Sequence, residues 1–540
     1  MSATSPSRAA NDPPPPPPAD APWRPIGNPW VITLAVTLAT FMEILDTSVA
    51  NVALPHIAGG LSAGEDEATW VLTSYLVSNA VILPMSGWFS VMLGRKRFYM
   101  GCVILFTISS LLCGLAPTLP LLIFFRIIQG LGGGGLQPSE QAILADTFPP
   151  EKRGMAFAVY GFAVVLAPAI GPTLGGYITD NFSWRWIFLI NIPVGILSLY
   201  LTSRLVQDPP YLKKNREAMA GVRVDYIGLA LLTVGLGLLQ VVLDKGQRDD
   251  WFEAPYIVIF SAIAVLALLT VVFWELRHQS PIVDFRLLKD RTFLAANSLM
   301  FMVGFVLLSS TVLLPLFLQT LMGYTAQEAG MVISPGGIAI MLVMPLVGFL
   351  VSKFDPRYLI AFGLMITSAS LFHMSTFDLQ ISFQTAMWAR VFQAMGMAFL
   401  FVPINTIAFS SVPGNKNNAA SGLINLSRNI GGSMGISLVT TMLARRAQFH
   451  QNILVDRVSN SNPAFRATAG GISRALQHAG SNPVQAGQQA YRIIYNSVIR
   501  QATMLSYIDC FKFLGVAVAL MVPAVFVMKK PKSGKAIMGH

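Results

Sequence analysis

Trp30-Val-Ile-Thr-Leu-Ala-Val-Thr-Leu-Ala-Thr-Phe-Met-Glu43-Ile-Leu-Asp46-Thr-Ser-Val-Ala-Asn51-Val-Ala-Leu54 is a run of 25 residues that carries only two charges, both acids. A helix needs about 20 apolar residues to cross the hydrocarbon core of a bilayer, so the run predicts a membrane span. A carboxylate at that depth is costly unless paired or hydrated, which marks Glu43 and Asp46 as functional candidates from the outset. Runs of the same kind follow at 67–91, 98–116, 119–142, 154–178, 186–204, 225–244, 255–275, 293–321, 327–351, 357–376, 383–411, 417–443 and 507–528. The sequence therefore predicts an all-α polytopic membrane protein with fourteen spans. Composition agrees: 54% of the 540 residues are apolar and 12% charged, against roughly a quarter charged in soluble proteins.

The net charge of +11 reads as topology and not as a nucleic-acid surface, because the basic residues fall in short breaks between apolar runs. Arg95, Lys96 and Arg97 follow span 2, Lys152 and Arg153 follow span 4, and Lys213, Lys214, Arg216 and Arg223 follow span 6. The same side takes Arg286, Lys289, Arg291, Lys353, Arg357 and Lys416, then Lys529, Lys530, Lys532 and Lys535. The opposite short loops hold only Arg185, Lys245 and Arg248, with Glu65, Asp66 and Glu67 in the first. The positive-inside rule makes the basic side cytoplasmic, and an even span count puts both termini there. Residues 1–29, with Pro13 to Pro18, predict a disordered cytoplasmic tail without the order of a cleaved signal, and 529–540 a basic cytoplasmic tail. One outward segment, 444–506, is long and polar with helical apolar spacing in stretches. It is either a partner-docking surface or a helical hairpin capping the bundle.

Two sequence matches suggest an internal repeat. Val52-Ala-Leu-Pro55 recurs as Val312-Leu-Leu-Pro315, and Phe125-Arg126-Ile-Ile-Gln129 as Ala389-Arg390-Val-Phe-Gln393, at nearly equal offsets of 260 and 264. They relate spans 1–6 to spans 9–14. The predicted organisation is an N-terminal six-helix half (30–204), a linker with two inserted helices (205–292) and a C-terminal six-helix half (293–528).

The charges at membrane depth are Glu43, Asp46, Arg126, Arg390 and Arg428. At 1.5 Å per residue, Asp46 lies about 12 Å from the outer end of span 1 and Arg126 about 9 Å into span 4. A carboxylate and a guanidinium at matched depth can pair, and protonating the acid would release the arginine: a minimal proton-exchange device, or else a static bond between helices. Glu43 falls on a neighbouring face, where a desolvated carboxyl suits proton loading. Gln129, Asn405 and Asn425 either line a substrate path or bond between helices. Gly130 and Gly132 to Gly135 lack the lysine of a phosphate loop and are better explained by close helix packing. Gly171-Pro172 with Gly175-Gly176 predicts a kinked helix pressed against a neighbour. Cys102, Cys113 and Cys510 and the scattered histidines offer no disulfide or metal pattern, no cofactor is expected, and no nucleophile, base and orienting group assemble into an enzyme site.

These motifs resemble the major facilitator superfamily, and within it the fourteen-span drug/proton antiporters of the EmrB/QacA type. Leu45-Asp46-Thr-Ser-Val-Ala-Asn51-Val-Ala-Leu-Pro55 resembles their span 1 signature, Arg126-Ile-Ile-Gln129-Gly130 the span 4 motif, and Pro168-Ala-Ile-Gly171-Pro172-Thr-Leu-Gly175-Gly176 the antiporter motif of span 5. Leu243-Asp-Lys-Gly-Gln-Arg-Asp-Asp-Trp251 looks most similar to EmrB-like multidrug efflux pumps. The resemblance implies export of amphipathic drugs across the bacterial inner membrane by alternating access, driven by protons, with Asp46 as coupling acid and Arg126 as its partner. It also implies a periplasmic adaptor protein and, through it, an outer-membrane channel. The motif Gly87-Trp-Phe-Ser-Val91-Met-Leu-Gly94-Arg95-Lys96 departs from the pattern, since Val91 stands where the superfamily usually has Asp, and this puts its cytoplasmic charge gate in question. Ala167 replaces a glycine, and Glu43 is an added acid. Two other functions compete: a dedicated exporter of a metabolite such as a siderophore or fatty acid on the same fold, and a non-transporting membrane sensor or scaffold. Acids and arginine at matched depth favour transport.

Overall fold

The computed structural model describes residues 25, 27–212, 225–278, 281–456, 458–459 and 461–528. Most of the expected N-terminal tail, the basic residues Lys213, Lys214, Arg216 and Arg223, and the C-terminal lysines lie outside the described residues. Every regular element among those described is helical. In chain order the long helices are α1 (Pro29–Gly60), α2 (Trp70–Leu93), α3 (Arg95–Leu115), α4 (Leu119–Gly133), α5 (Leu136–Thr147), α6 (Pro150–Asn181), α7 (Asn191–Leu205) and α8 (Tyr226–Lys245). They continue as α9 (Pro255–Arg277), α10 (Arg291–Thr320), α11 (Ala326–Lys353), α12 (Pro356–Met374), α13 (Phe383–Ser410), α14 (Asn417–Val455), α15 (Pro463–His478) and α16 (Pro483–Leu520).

Hydrocarbon offers backbone groups no water, so an apolar chain satisfies them internally as helix. Polar residues in the breaks set the starts. Asn28 accepts from the amide of Trp30 with Pro29 in the first turn, Asp290 accepts from Phe293, and Thr325 and Glu328 form a reciprocal capping box.

Twelve helices among the described residues are long and apolar enough to cross a membrane, counting α4 with α5 and the turn Trp186–Leu189 with α7 as single spans; α6, bent by 43° near Pro168, makes thirteen. The one expected span left over, 417–443, thirteenth in order, lies inside the 39-residue α14. That helix is not apolar enough to qualify on composition, because it buries Asn418, Ser421, Asn425, Arg428 and glycines against other helices. The final span also differs. Helix α16 starts at Pro483, well before 507, and with α15 and the end of α14 turns the expected polar segment 444–506 into helices that continue the bundle outward.

Helix α1 packs on α6 and α7, and α4 on α2 and α3; α10 packs on α14, α13 on α11 and α12, and α16 on α12 and α14. The two groups meet where α6 lies on α11 and α2 on α14. Helices α8 and α9 pack on each other, and α8 reaches α2 and α14. Enclosure follows from this layout: 83% of the most apolar stretch of α13 is buried but only 22% of that of α9, which stands at the periphery.

Candidate coupling and substrate site

Asp46 on α1 and Arg126 on α4 meet in an ion pair of 2.5 Å between Oδ2 and Nη1. Both are buried, at 2% and 0% exposure. The remaining hydrogen-bonding capacity is supplied by neutral groups. Arg126 Nε donates to the carbonyl of Val71 at 3.0 Å and Nη1 to Gln129 Oε1 at 2.8 Å. Asp46 Oδ1 accepts from Gln129 Nε2 at 3.1 Å and from Asn191 Nδ2 at 2.7 Å, and Asn191 is tied to Ser110 at 3.0 Å. The rings of Tyr75 and Phe188 flank the guanidinium at 4.3 and 5.6 Å. Arg126 Nη2 has no hydrogen-bond partner among the described residues. Removing either partner of such a pair leaves an uncompensated charge, at a cost of about 3–5 kcal/mol.

Glu43, three residues earlier, belongs to a different network. Its Oε1 accepts from Tyr75 Oη and Asn79 Nδ2, each at 3.1 Å, and its Oε2 from Gln137 Nε2 at 2.6 Å. Gln137 is also the link to the other helix group. Arg428 on α14 donates to Gln137 Oε1 and, at 3.1 Å, to Tyr160 Oη. Asn425 donates to Gln141 Oε1 at 2.7 Å, and Ser421 to the same oxygen at 2.9 Å. Sequence reasoning missed Gln137, the middle of this network, and a third buried acid near it. Glu140, fully buried on α5, accepts from Thr37 at 2.6 Å through Oε1. It lies within 119–142, so the rule that picked out Glu43 and Asp46 also finds it.

The remaining candidates separate. Asn405 donates within its own helix to the carbonyl of Phe401 at 2.8 Å. Arg390 donates to Gln393 Oε1 at 2.7 Å, repeating the Arg126–Gln129 arrangement, and to Ser310 at 3.2 Å and Thr311 at 3.4 Å. On the basic side, Arg95 donates to Asp146 and, at 2.8 Å, to Tyr211; Tyr211 donates to Asp146 at 2.5 Å, and Asn417 at the start of α14 donates to the other Asp146 oxygen at 2.8 Å. Asp146 thus supplies an acid to Arg95 although position 91 is valine. Gly94 joins α2 to α3 at φ +87°, a conformation that favours glycine. A Cβ on Gly87 would lie 3.1 Å from the backbone of Ala419, so α2 and α14 touch backbone to backbone there. Gly171 and Gly175 on α6 similarly face Ser48 and Val49 of α1, whereas nothing lies near Gly176.

The profile of the Major Facilitator Superfamily matches residues 36–436. The chain belongs to that superfamily. Among its relatives are the probable multidrug resistance protein EmrY of Escherichia coli (strain K12), 37% identical and aligned over 95% of this chain and 97% of EmrY, and the multidrug export protein EmrB of the same organism, 35% identical over 93% and 96%. The fatty acid resistance protein FarB of Neisseria gonorrhoeae is 36% identical over 93% and 96%. The solved proton:xylose symporter XylE has the same fold, with a TM-score of 0.59 at 17% identity, covering 91% of this chain and 94% of its own. Family and fold together make the chain a polytopic transporter of the major facilitator type.

Proposed function

We propose that the chain exports amphipathic drugs or other toxic compounds across the bacterial inner membrane in exchange for protons. The relatives named for multidrug export and resistance align over nearly their whole length, which supports the substrate class. The observation that carries the coupling is the sealed Asp46–Arg126 pair. A proton on Asp46 removes the charge that balances Arg126 and leaves Gln129 and the Val71 carbonyl as its remaining anchors. The hydrogen bonds that join α1, α3 and α7 through Asn191 must then rearrange. Glu43 acts as the second proton site: through Gln137 it feels Arg428, so its charge state bears on the contact between the two helix groups.

In this reading 30–204 and 293–528 are two halves that rock about the α6·α11 and α2·α14 contacts, 205–292 is a linker, and both termini are cytoplasmic. Gly87, Gly94 and Arg95, with Gly171, Pro172 and Gly175, shape the moving contacts, whereas Gly176, which meets nothing within 4 Å, takes no part. Gln129, Arg390, Asn405, Asn425 and Arg428 line the path when it opens. Substrate-induced proton release from the purified protein tests the coupling. Wild type is expected to release protons on binding a cationic drug and Asp46→Asn to release none; equal release from both excludes Asp46.

The segment 444–506 is proposed to meet a periplasmic adaptor protein and, through it, an outer-membrane channel. Its helices expose Val484, Tyr491 and Tyr495. Deleting about 455–490 should abolish adaptor capture while the protein still inserts; retained capture would exclude this surface.

A further inference from the structure

Arg390 is a buried guanidinium whose partners among the described residues are all neutral: Gln393, Ser310 and Thr311. Its counterpart Arg126 is balanced by Asp46. Ser310 meets Nη1 of Arg390 as Asp46 meets Nη1 of Arg126, so in space the hydroxyl stands where the first half has its acid. Where the first half supplies a carboxylate, the second supplies a hydroxyl, and the positive charge stays unbalanced at membrane depth, an expensive arrangement.

Hydrogen-bond capacity points the same way. A guanidinium has five N–H donors, of which three are engaged here. The hydroxyls of Ser310 and Thr311 donate to the carbonyl of Leu307 at 3.1 and 2.7 Å, so they meet Arg390 with lone pairs only. Gln393 Oε1 accepts from Arg390, while its buried Nε2 has no partner among the described residues. The unmet groups are donors. Arg390 also keeps 7% exposure where Arg126 has none, so its head is not fully sealed.

We infer that Arg390 and Gln393, backed by Ser310 and Thr311, form a binding site for a small monovalent anion, whose natural occupant is the carboxylate head of an amphipathic substrate or a free halide. This rests on the chain being a transporter but not on proton coupling. A bound carboxylate would balance the guanidinium as Asp46 balances Arg126, and could accept from both Arg390 and Gln393 Nε2.

Equilibrium binding to the purified full-length protein tests the site, with decanoate, decanol and decyltrimethylammonium as probes and sodium chloride in a separate thermal melt. Decanoate should bind about tenfold or more tightly than decanol, a margin expected for a charge-assisted contact. Arg390→Gln should erase that margin. Ser310→Asp, which supplies the missing acid internally, should erase it too, and it serves as second variant if Arg390→Gln fails to fold. A margin unchanged in both overturns a carboxylate site. If decanoate shows no margin but chloride raises the melting temperature of wild type and not of Arg390→Gln, the occupant is a halide; if neither anion depends on Arg390, the inference is wrong. Binding, not transport, is read, so a failed proton-release experiment with Asp46→Asn leaves the result standing.

Discussion

At the scale of single residues, Glu43 and Asp46 illustrate how three positions along one helix separate two chemistries. Asp46 meets a cation directly, whereas Glu43 is held by three neutral donors and reaches Arg428 only through Gln137. The ion pair makes a non-additive pattern the expected outcome of a double-mutant cycle. Asp46→Ala and Arg126→Ala should each destabilise by about 3–5 kcal/mol, because each leaves its partner charged and buried, and the double variant should cost clearly less than the sum. Unfolding of the purified variants measures it, and strict additivity would mean that the pair carries no net interaction. The pair was legible in the sequence, since two opposite charges at matched depth have few other ways to be satisfied. The shell around it was not. Tyr75, Asn79, Gln137 and Asn191 come from three other helices, and in nearly uniformly apolar helices the sequence does not say which face turns inward. Glu140 was legible by the depth rule alone, but its donor Thr37 was not.

At the scale of elements, glycines decide how closely helices approach, and the sequence indicates where this happens better than which residue does it. Gly175 and Gly176 are adjacent in one motif, yet only Gly175 faces α1: a Cβ there would lie 3.1 Å from Val49, and one on Gly176 would meet nothing within 4 Å. Gly176→Ala is therefore expected to melt and transport like wild type, and Gly175→Val to do neither. The closest approach is between α10 and α14, where a Cβ on Gly431 would fall 2.1 Å from the Phe301 carbonyl oxygen and one on Gly304 would fall 2.0 Å from that of Arg428. Backbone in both helices is the obstacle, so no rotamer change relieves it. Gly431→Val should separate the pair and lower the melting temperature well beyond Gly176→Ala; equal melting of the two would mean that α10 and α14 are not in contact. The same packing explains why α14 is less apolar than a helix facing lipid, and hence why its 39 residues stand outside the count of apolar spans.

At the scale of the whole molecule, the two helix groups are closed against each other on the basic side by one small cluster. Asp146 of α5 holds Arg95, accepts from Tyr211 and accepts from Asn417 on α14, so a single carboxylate joins both groups where Gly87 already touches Ala419. Burial pushes the Tyr211 phenol above its usual range, and Asp146 beside it adds to this while Arg95 opposes it. Because the shift is upward, the phenol keeps its proton at every pH below its ordinary value of about 10, and its titration cannot open the cluster in that window. Asp146→Ala should act differently: it strands the buried Arg95 and frees Asn417 together, tilting the balance between closed and open by up to about 3–5 kcal/mol. Such a tilt can move a mostly closed population to a mostly open one. The measurement is the labelling rate of a cysteine at Asn418, which is buried in the closed contact, by a membrane-impermeant maleimide applied to the basic side of inside-out vesicles. Labelling of Asn418→Cys should be slow, and at one fixed pH should rise many-fold when Asp146→Ala is added. Equal rates with and without Asp146 would mean that the cluster decorates the closed contact without holding it, and that the backbone approach at Gly87 is what keeps this side shut.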